Sequence, residues 1–313
     1  NIGESWEVST HSLLPSVIAN GTWAGYELRE VIAKMPEAIL GKAVAKKYNN
    51  QLPLLVKFID TKTDLSVQVH PNDSMALREH NDRGKTEMWY VVDAEKDAYI
   101  YAGFKEELTT EEYAKRVADG SIMDALAKHE IHTGDVFYIP AGRVHAIGKG
   151  VMLVEVQQSS DLTYRIYDYN RRDKNGKLRE LHVEMAKDAI DYTILPDYRT
   201  RYAHRLNEPV QLVNSSKFVV SLYELTEPME CDYSELDSFV IYICIEGAAS
   251  IQVPSENEKG EACMENYEFG RGETILIPAD MPDFFLVPRD RSTVILEAVT
   301  RPVDELDAYI DPD

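Results

Sequence analysis

The chain has 313 residues, 44% of them apolar, enough for one large domain or two ordinary ones with a sizeable core. Its 54 acidic and 33 basic side chains give a formal net charge of -21, a surface that repels nucleic acid and anionic membranes and obliges any anionic ligand to find local Lys or Arg. No apolar stretch approaches the roughly 18 residues of a membrane span, the polar start Asn1-Ile-Gly-Glu-Ser-Trp6 has no apolar signal core, and Cys231, Cys244 and Cys263 show neither metal nor disulfide spacing, so the expectation is a cytoplasmic protein with reduced thiols.

In chain order, the first expected element is a short strand over residues 6–9. An Ala-rich helix follows from about 31 to 48, then a buried strand at 53–59 with a partner at 65–70. Pro71-Asn72-Asp73 reads as a turn and residues 78–85 as a polar loop. Residues 88–92 and 98–101 read as a hairpin joined by the acidic turn 93–97. Thr109-Thr-Glu-Glu112 is a helix-start signal with an acidic first turn. Helical periodicity over 111–118 and 122–128 makes 105–131 a helical insertion between strands of a barrel. Strands resume at 136–139, 152–158 and 164–169, followed by the charged linker 170–177 and a mixed stretch to about 206.

The last third is strand-like and repeats the first barrel. Gly272-Glu-Thr-Ile-Leu-Ile-Pro278 aligns with Gly134-Asp-Val-Phe-Tyr-Ile-Pro140, which sets Asp283 against His145, and the run from Phe239 sets Ser238 against Glu87. The fold class expected is mainly β: two barrels, a ligand-bearing domain over 1–200 and a degenerate one over 201–313. Because the second copy keeps the turn pattern without the ligands, His and Glu are not what builds the fold.

Four side chains of the first copy form a pattern. Gln68 and His70 are two apart in Leu65-Ser-Val-Gln-Val-His70, so on a strand they share a face. Glu87 opens a strand, and His145 follows the tight turn Gly134-x5-Pro140-x-Gly142-x2-His145. A lone strand histidine is usually a satisfied core or surface residue. Two imidazoles, a carboxylate and an amide carbonyl together make an N2O2 donor set suited to Zn2+ and, less selectively, to other first-row divalent ions.

The Gly134 to His145 element resembles the second signature of the cupin barrel. Within the cupins, Leu65-Ser-Val-Gln-Val-His-Pro71, Gly84-Lys-Thr-Glu-Met-Trp-Tyr90, Gly3-Glu-Ser-Trp-Glu-Val8 and Leu162-Thr-Tyr-Arg-Ile-Tyr-Asp168 resemble the type I mannose-6-phosphate isomerases of the short bacterial branch. The resemblance implies two cupin barrels and one zinc ion held by Gln68, His70, Glu87 and His145. It implies an active-site arginine at Arg165, and sugar-phosphate contacts at Lys57, Ser66, Lys85 and Arg171. It also implies interconversion of mannose 6-phosphate and fructose 6-phosphate, in a monomer or weak homodimer.

The residues themselves suggest how the chemistry is divided. Isomerisation through an enediol needs a proton carrier and a counter-charge for the enediolate. Lys85, two before Glu87, is a candidate base, or else a solvated loop lysine. Glu155 is a second candidate base, or a partner for a ligand histidine. The always-charged Arg165 suits enediolate or phosphate better than proton abstraction. Lys57, in the apolar strand 54–59, favours an inward phosphate contact, because a buried ammonium needs an anion, or else is an edge lysine with its head in water. Two other readings remain open: a non-haem iron oxygenase, since two His and a carboxylate also hold Fe(II), and a cupin that binds a sugar without chemistry.

Overall fold

The structure is a computed structural model that describes residues 3–301 except 173, 257, 258 and 282. In chain order its elements are β1 (Glu4–Trp6), α1 (Leu28–Lys34), α2 (Pro36–Leu40), α3 (Lys42–Lys47), β2 (Leu54–Asp60), β3 (Val67–Val69), α4 (Asp73–His80), β4 (Glu87–Ala94), β5 (Tyr99–Phe104) and α5 (Thr110–Asp119). After a 3-10 turn at Ser121–Ala125 come β6 (Leu126–Glu130), β7 (Val136–Ile139), β8 (His145–Ile147), β9 (Val151–Gln158), β10 (Tyr164–Tyr167), α6 (Val183–Ala189) and β11 (Arg199–Thr200). The remainder is strand: β12 (Val210–Asn214), β13 (Phe218–Leu225), β14 (Met229–Cys231), β15 (Val240–Glu246), β16 (Ala248–Glu256), β17 (Ala262–Gly270), β18 (Thr274–Ile277), β19 (Phe284–Pro288) and β20 (Thr293–Thr300). The protein is therefore mainly β with antiparallel sheets, and among the described residues no helix is long and apolar enough to cross a membrane.

Two compact units form, one from residues 3–5 and 56–200, the other from 6–55 and 201–301. Residues 6–55, expected with the first domain, thus group with the last third. The reason lies in hydrogen bonds within the second unit. Ala279 N donates to Ile39 O and Asp280 N to Ala38 O, both at 3.0 Å, and the Asp237 carboxylate accepts from Lys42 N at 2.7 Å and Ala43 N at 2.8 Å at the start of α3. The single helix expected over 31–48 is three short ones, broken where Pro36 starts α2 and where Gly41 takes φ +87°. A Cβ on Gly41 would meet Asp237 O at 2.5 Å, so only glycine fits there.

The first unit holds the sheets β1-β2-β9-β4-β7-β11 and β10-β3-β8-β5-β6. The second holds β12-β13-β20-β15-β18 and β14-β19-β16-β17. The order of neighbours repeats: β9-β4-β7 corresponds to β20-β15-β18, and β3-β8-β5-β6 to β14-β19-β16-β17. The expected hairpin of residues 88–101 does not form. β4 and β5 lie in different sheets, the chain crossing between them through residues 95–98, and strand-like runs on either side of a turn do not say whether they pair. Residues 126–130, read as helix, are β6 paired with β5; five residues are too few to separate the two periods. Residues 73–80, expected as the end of a turn at 73 and the start of a polar loop at 78, form α4, capped by Asn72 Oδ1 accepting from Met75 N at 2.9 Å. The helix start at Thr109 is as expected, with Thr109 Oγ1 accepting from Glu112 N and Glu112 Oε2 from Thr109 N.

The packing fixes which way the site residues point. One face of the β10-β3-β8-β5-β6 sheet sends Val67, Val69, Ala146, Tyr164 and Ile166 into an apolar cluster with Tyr113 of α5 and Ala186 of α6. The other face sends Ile100, Ala102 and Ile147 into a cluster with Trp89, Phe137, Ile139 and Leu153 of the neighbouring sheet. Alternation along the strands therefore assigns Gln68, His145 and Arg165 to this inner side.

Candidate metal centre

Register brings the expected ligands together. Gln68 of β3 stands directly opposite His145 of β8, and Arg165 of β10 stands opposite Gln68, so the three share one face across three strands. Glu87 opens β4 opposite Gln157 of β9 and Ile139 of β7. His70 follows β3 directly. The turn that delivers His145 is tied to it: Gly142, at φ +93°, donates its N–H to His70 O at 2.9 Å.

Glu87 is fully buried, and His70 and His145 are each 1% exposed. His70 Nε2 lies 3.4 Å from Glu87 Oε2 and His145 Nε2 3.3 Å from Glu87 Oε1. Ligand atoms of the three residues all fall within 4.8 Å of one another, the one such His/Cys/Asp/Glu group among the described residues. Each imidazole is held from behind by a carbonyl, His70 Nδ1 by Leu162 O and His145 Nδ1 by Arg143 O, both at 2.8 Å. A carbonyl only accepts, so Nδ1 carries the proton and Nε2 presents its lone pair to the centre. His70 Nε2 and both Glu87 oxygens are buried without a hydrogen-bond partner. Three converging acceptors without a hydrogen-bond donor fit a cation, whose charge would offset the cost of their burial. Gln68 turns its amide nitrogen to His145 Nε2 at 3.2 Å. To join the ligand set it must rotate that amide so that Oε1 faces the ion.

The electrostatics agree with a cation. Burial, and then the Lys85 ammonium, lower His70 to about 3 against the pull of Glu87. Burial likewise lowers His145. Glu87 would be raised by its burial, but Lys85 and the two imidazoles hold it below the usual carboxylate range. Lys85 Nζ lies 3.6 Å from Glu87 Oε2. Burial alone would lower Lys85, yet Glu87, Glu155 and Asp161 keep it above its ordinary value, so it is an ammonium here rather than a free base. Glu155 is raised by burial and by Glu87. Its Oε2 accepts from Trp89 Nε1 at 3.0 Å, and its Oε1 lies 4.0 Å from Lys57 Nζ.

Of the other expected site residues, Ser66 is buried immediately before β3. Arg165 donates from Nη1 to Glu180 O at 3.0 Å and leaves a buried Nε unpaired. Arg171 is engaged elsewhere: it pairs with Asp168, donates to Asp64 O and lies over the Tyr169 ring, none of them ligands. Two residues escaped the sequence analysis. Trp89 links Glu155 to the edge of the His145 ring, centroids 5.2 Å apart, and Gln157 stands opposite Glu87. Strand alternation from Glu155 was the available signal for Gln157, but its partner across the sheet was not.

The second unit shows what the same strand order looks like without ligands. Val240 pairs with Ile277 as Glu87 pairs with Ile139, and Tyr242 stands opposite Glu297 as Trp89 stands opposite Glu155. The counterpart of Glu87 is thus Val240, not Ser238. Asp283 is exposed, while buried Phe284 presents its ring to Tyr242, centroids 6.4 Å apart, as His145 does to Trp89. Glu297 accepts from the hydroxyls of Tyr223 and Tyr233. A cavity of about 650 Å³ in this unit has walls that include Trp23, Val31, Ile39, Glu7, Glu268 and Glu273 and no Lys, Arg or His, a poor match to a sugar phosphate.

Comparison with known proteins points one way. A family model for the catalytic domain of type I phosphomannose isomerase matches residues 1–113. Mannose-6-phosphate isomerase ManA of Bacillus subtilis (strain 168) is 35% identical over 291 residues, 91% of this chain and 86% of its own. The mannose-6-phosphate isomerase of Streptococcus mutans is 42% identical over 188 residues, 60% of this chain and 58% of its own. The crystal structure of the mannose 6-phosphate isomerase from Bacillus subtilis matches with a TM-score of 0.79 at 30% identity, over 95% of this chain and 89% of that one.

Proposed function

The chain belongs to the type I mannose-6-phosphate isomerase family, and on that premise we propose that it interconverts mannose 6-phosphate and fructose 6-phosphate by proton transfer between C1 and C2 through an enediol, with zinc held by Gln68, His70, Glu87 and His145. The observation that carries this reading is the convergence of two imidazole Nε2 atoms on both oxygens of one buried carboxylate that has no hydrogen-bond partner. Sulfur ligands are absent from the donor set, and one carboxylate among neutral donors leaves net positive charge, which suits Zn2+. A divalent ion there supplies Lewis-acid stabilisation of charge on the sugar oxygens, worth several kcal/mol.

The protein groups around the centre supply the rest. Lys85 and Glu155 flank Glu87 in complementary states, an ammonium held charged by carboxylates and a carboxyl pushed up by burial. In its ionised form Glu155 takes the proton from one carbon and returns it to the other, while the Lys85 ammonium lends a proton to the carbonyl oxygen and recovers one from the neighbouring hydroxyl, the exchange that aldose–ketose isomerisation requires. Arg165, beside Gln68 on the inner face, stays charged and faces the enediolate. Lys57 and Ser66, both buried, are the phosphate contacts. The repeated strand order supports two cupin barrels, the second filled with Val240, Phe284 and the Glu297–tyrosine cluster where the first keeps its ligands.

The test is a coupled assay of mannose 6-phosphate conversion with and without a strong chelator. Turnover that chelation abolishes and zinc restores is expected; a rate indifferent to thorough metal stripping contradicts the proposal.

A further inference from the structure

Gln157 is fully buried at the end of β9, and its side chain is oriented by its own backbone. Its amide nitrogen donates to Gln158 O and to Ser160 O, each at 2.7 Å. Two carbonyls can be met only by an NH2, so which amide atom is oxygen is not in doubt. The other atom, Oε1, is buried and has no donor. A buried amide oxygen without a partner costs on the order of 1–3 kcal/mol. Directly opposite Gln157 is Glu87, so the two side chains leave the sheet on the same side, the one that carries Trp89, Glu155 and the ligand group. An acceptor locked in place by two bonds, on the side of the sheet that carries the ligand group and lacking a donor, is a built contact for a hydroxyl.

We propose that Gln157 is a substrate-binding residue whose Oε1 accepts a hydrogen bond from a sugar hydroxyl beside the metal centre. The proposal rests on the isomerase reading for the identity of the ligand, not for the geometry. It also explains why an amide stands there rather than a carboxylate. A glutamate would set an oxygen against the carbonyls of Gln158 and Ser160 and add a second negative charge opposite Glu87. A hydroxyl that donates to an oriented neutral acceptor gains a bond without disturbing the charge at the centre.

Two kinds of effect must be separated. The amide nitrogen of Gln157 braces residues 158–160, and Leu162 just beyond holds His70, so a purely structural role would act on metal content. The variant Gln157→Met keeps the length of the side chain and removes the acceptor. The probe is mannitol 6-phosphate, an unreactive polyol phosphate, together with its singly deoxygenated forms, measured as competitive inhibitors of the zinc-loaded enzyme. In Q157M the inhibition constant of the full polyol is expected to rise roughly tenfold, the loss of one neutral hydrogen bond, with zinc content unchanged. One deoxy form should bind wild type and Q157M alike, which would identify the hydroxyl. Unchanged inhibition by the full polyol, a uniform loss across all analogues, or loss of zinc would each overturn the assignment. If Q157M does not fold, Gln157→Asn withdraws the oxygen by one methylene and must show the same pattern. Wild-type turnover of mannose 6-phosphate is measured first, so failure of the isomerase reading is seen separately from failure of the Gln157 contact.

Discussion

Trp89 and Glu155 stand directly opposite one another on β4 and β9, and the indole Nε1–H donates to Glu155 Oε2 at 3.0 Å. That bond leaves Oε1 turned to Lys57, 4.0 Å from its Nζ. Glu297, its counterpart in the second unit, has two tyrosine hydroxyls on one oxygen instead.

Replacing Trp89 by Phe keeps a ring against His145 and removes the N–H. The expected result is a fall in kcat of roughly tenfold or more, from a misplaced proton carrier, with KM and zinc content near wild type. A W89F enzyme with full kcat would show that the indole hydrogen bond does not matter to the reaction.

His70→Ala and His145→Ala each remove one of the two imidazoles that face Glu87. Zinc measured by elemental analysis after gel filtration is expected to fall well below one ion per chain in both, and activity with it. Gln68→Ala removes a neutral, weaker donor and should bind zinc with lower affinity but retain it at high concentration. A His70→Ala protein that keeps stoichiometric zinc after dialysis against chelator would place the ion elsewhere.

Arg165→Ala takes away a charge without touching the ligands. Zinc content is expected to remain at one per chain while kcat/KM drops by about 10²-fold or more, the scale seen when an electrostatic contact to a reacting group is lost. Near-normal kinetics would remove Arg165 from the active site. Arg171→Ala serves as the comparison, because the Arg171 guanidinium is committed to Asp168 and the Asp64 carbonyl.

Acid should weaken the metal-free protein. Burial and Lys85 hold His70 to about 3 in the folded chain, whereas an unfolded imidazole titrates near 6.5. Between about pH 6.5 and 3 the unfolded chain takes up a proton that the folded one refuses, so this stabilising term is complete above about 6.5 and shrinks as pH falls. His145, lowered by burial, acts in the same direction. The urea midpoint of chelated protein should therefore be lower at pH 5 than at pH 7.5. Equal midpoints would mean that these imidazoles are not buried in the neutral form.

The candidate ligand group was legible because its information is local. Two residues on one strand face, a carboxylate opening the next strand and a turn that needs Pro140 and Gly142 at fixed offsets are all visible along the chain. What stayed hidden depends on register between distant strands. Gln157 and Trp89 acquire roles only through what lies opposite them, and the expected hairpin of residues 88–101 failed because strand propensity does not name a partner. The placement of residues 6–55 turned on Asp237 and Ala279, far away in sequence, which no periodicity over residues 31–48 could signal. α4 was within reach: Asn72 is a strong helix cap, but the short polar stretch behind it has little apolar periodicity to confirm it.

Phe284, rather than Asp283, occupies the position that answers to His145. The turn before it repeats Ile139-Pro140-Ala141 as Ile277-Pro278-Ala279, yet the inward step comes one place later. An imidazole grafted onto the second half at the spot nominated by turn spacing, Asp283→His, would hang in solvent and coordinate nothing. Restoring a ligand there calls for exchange of the phenylalanine itself, so the two halves differ by a phase as well as by chemistry, and sequence alignment alone would misguide anyone trying to build a second centre.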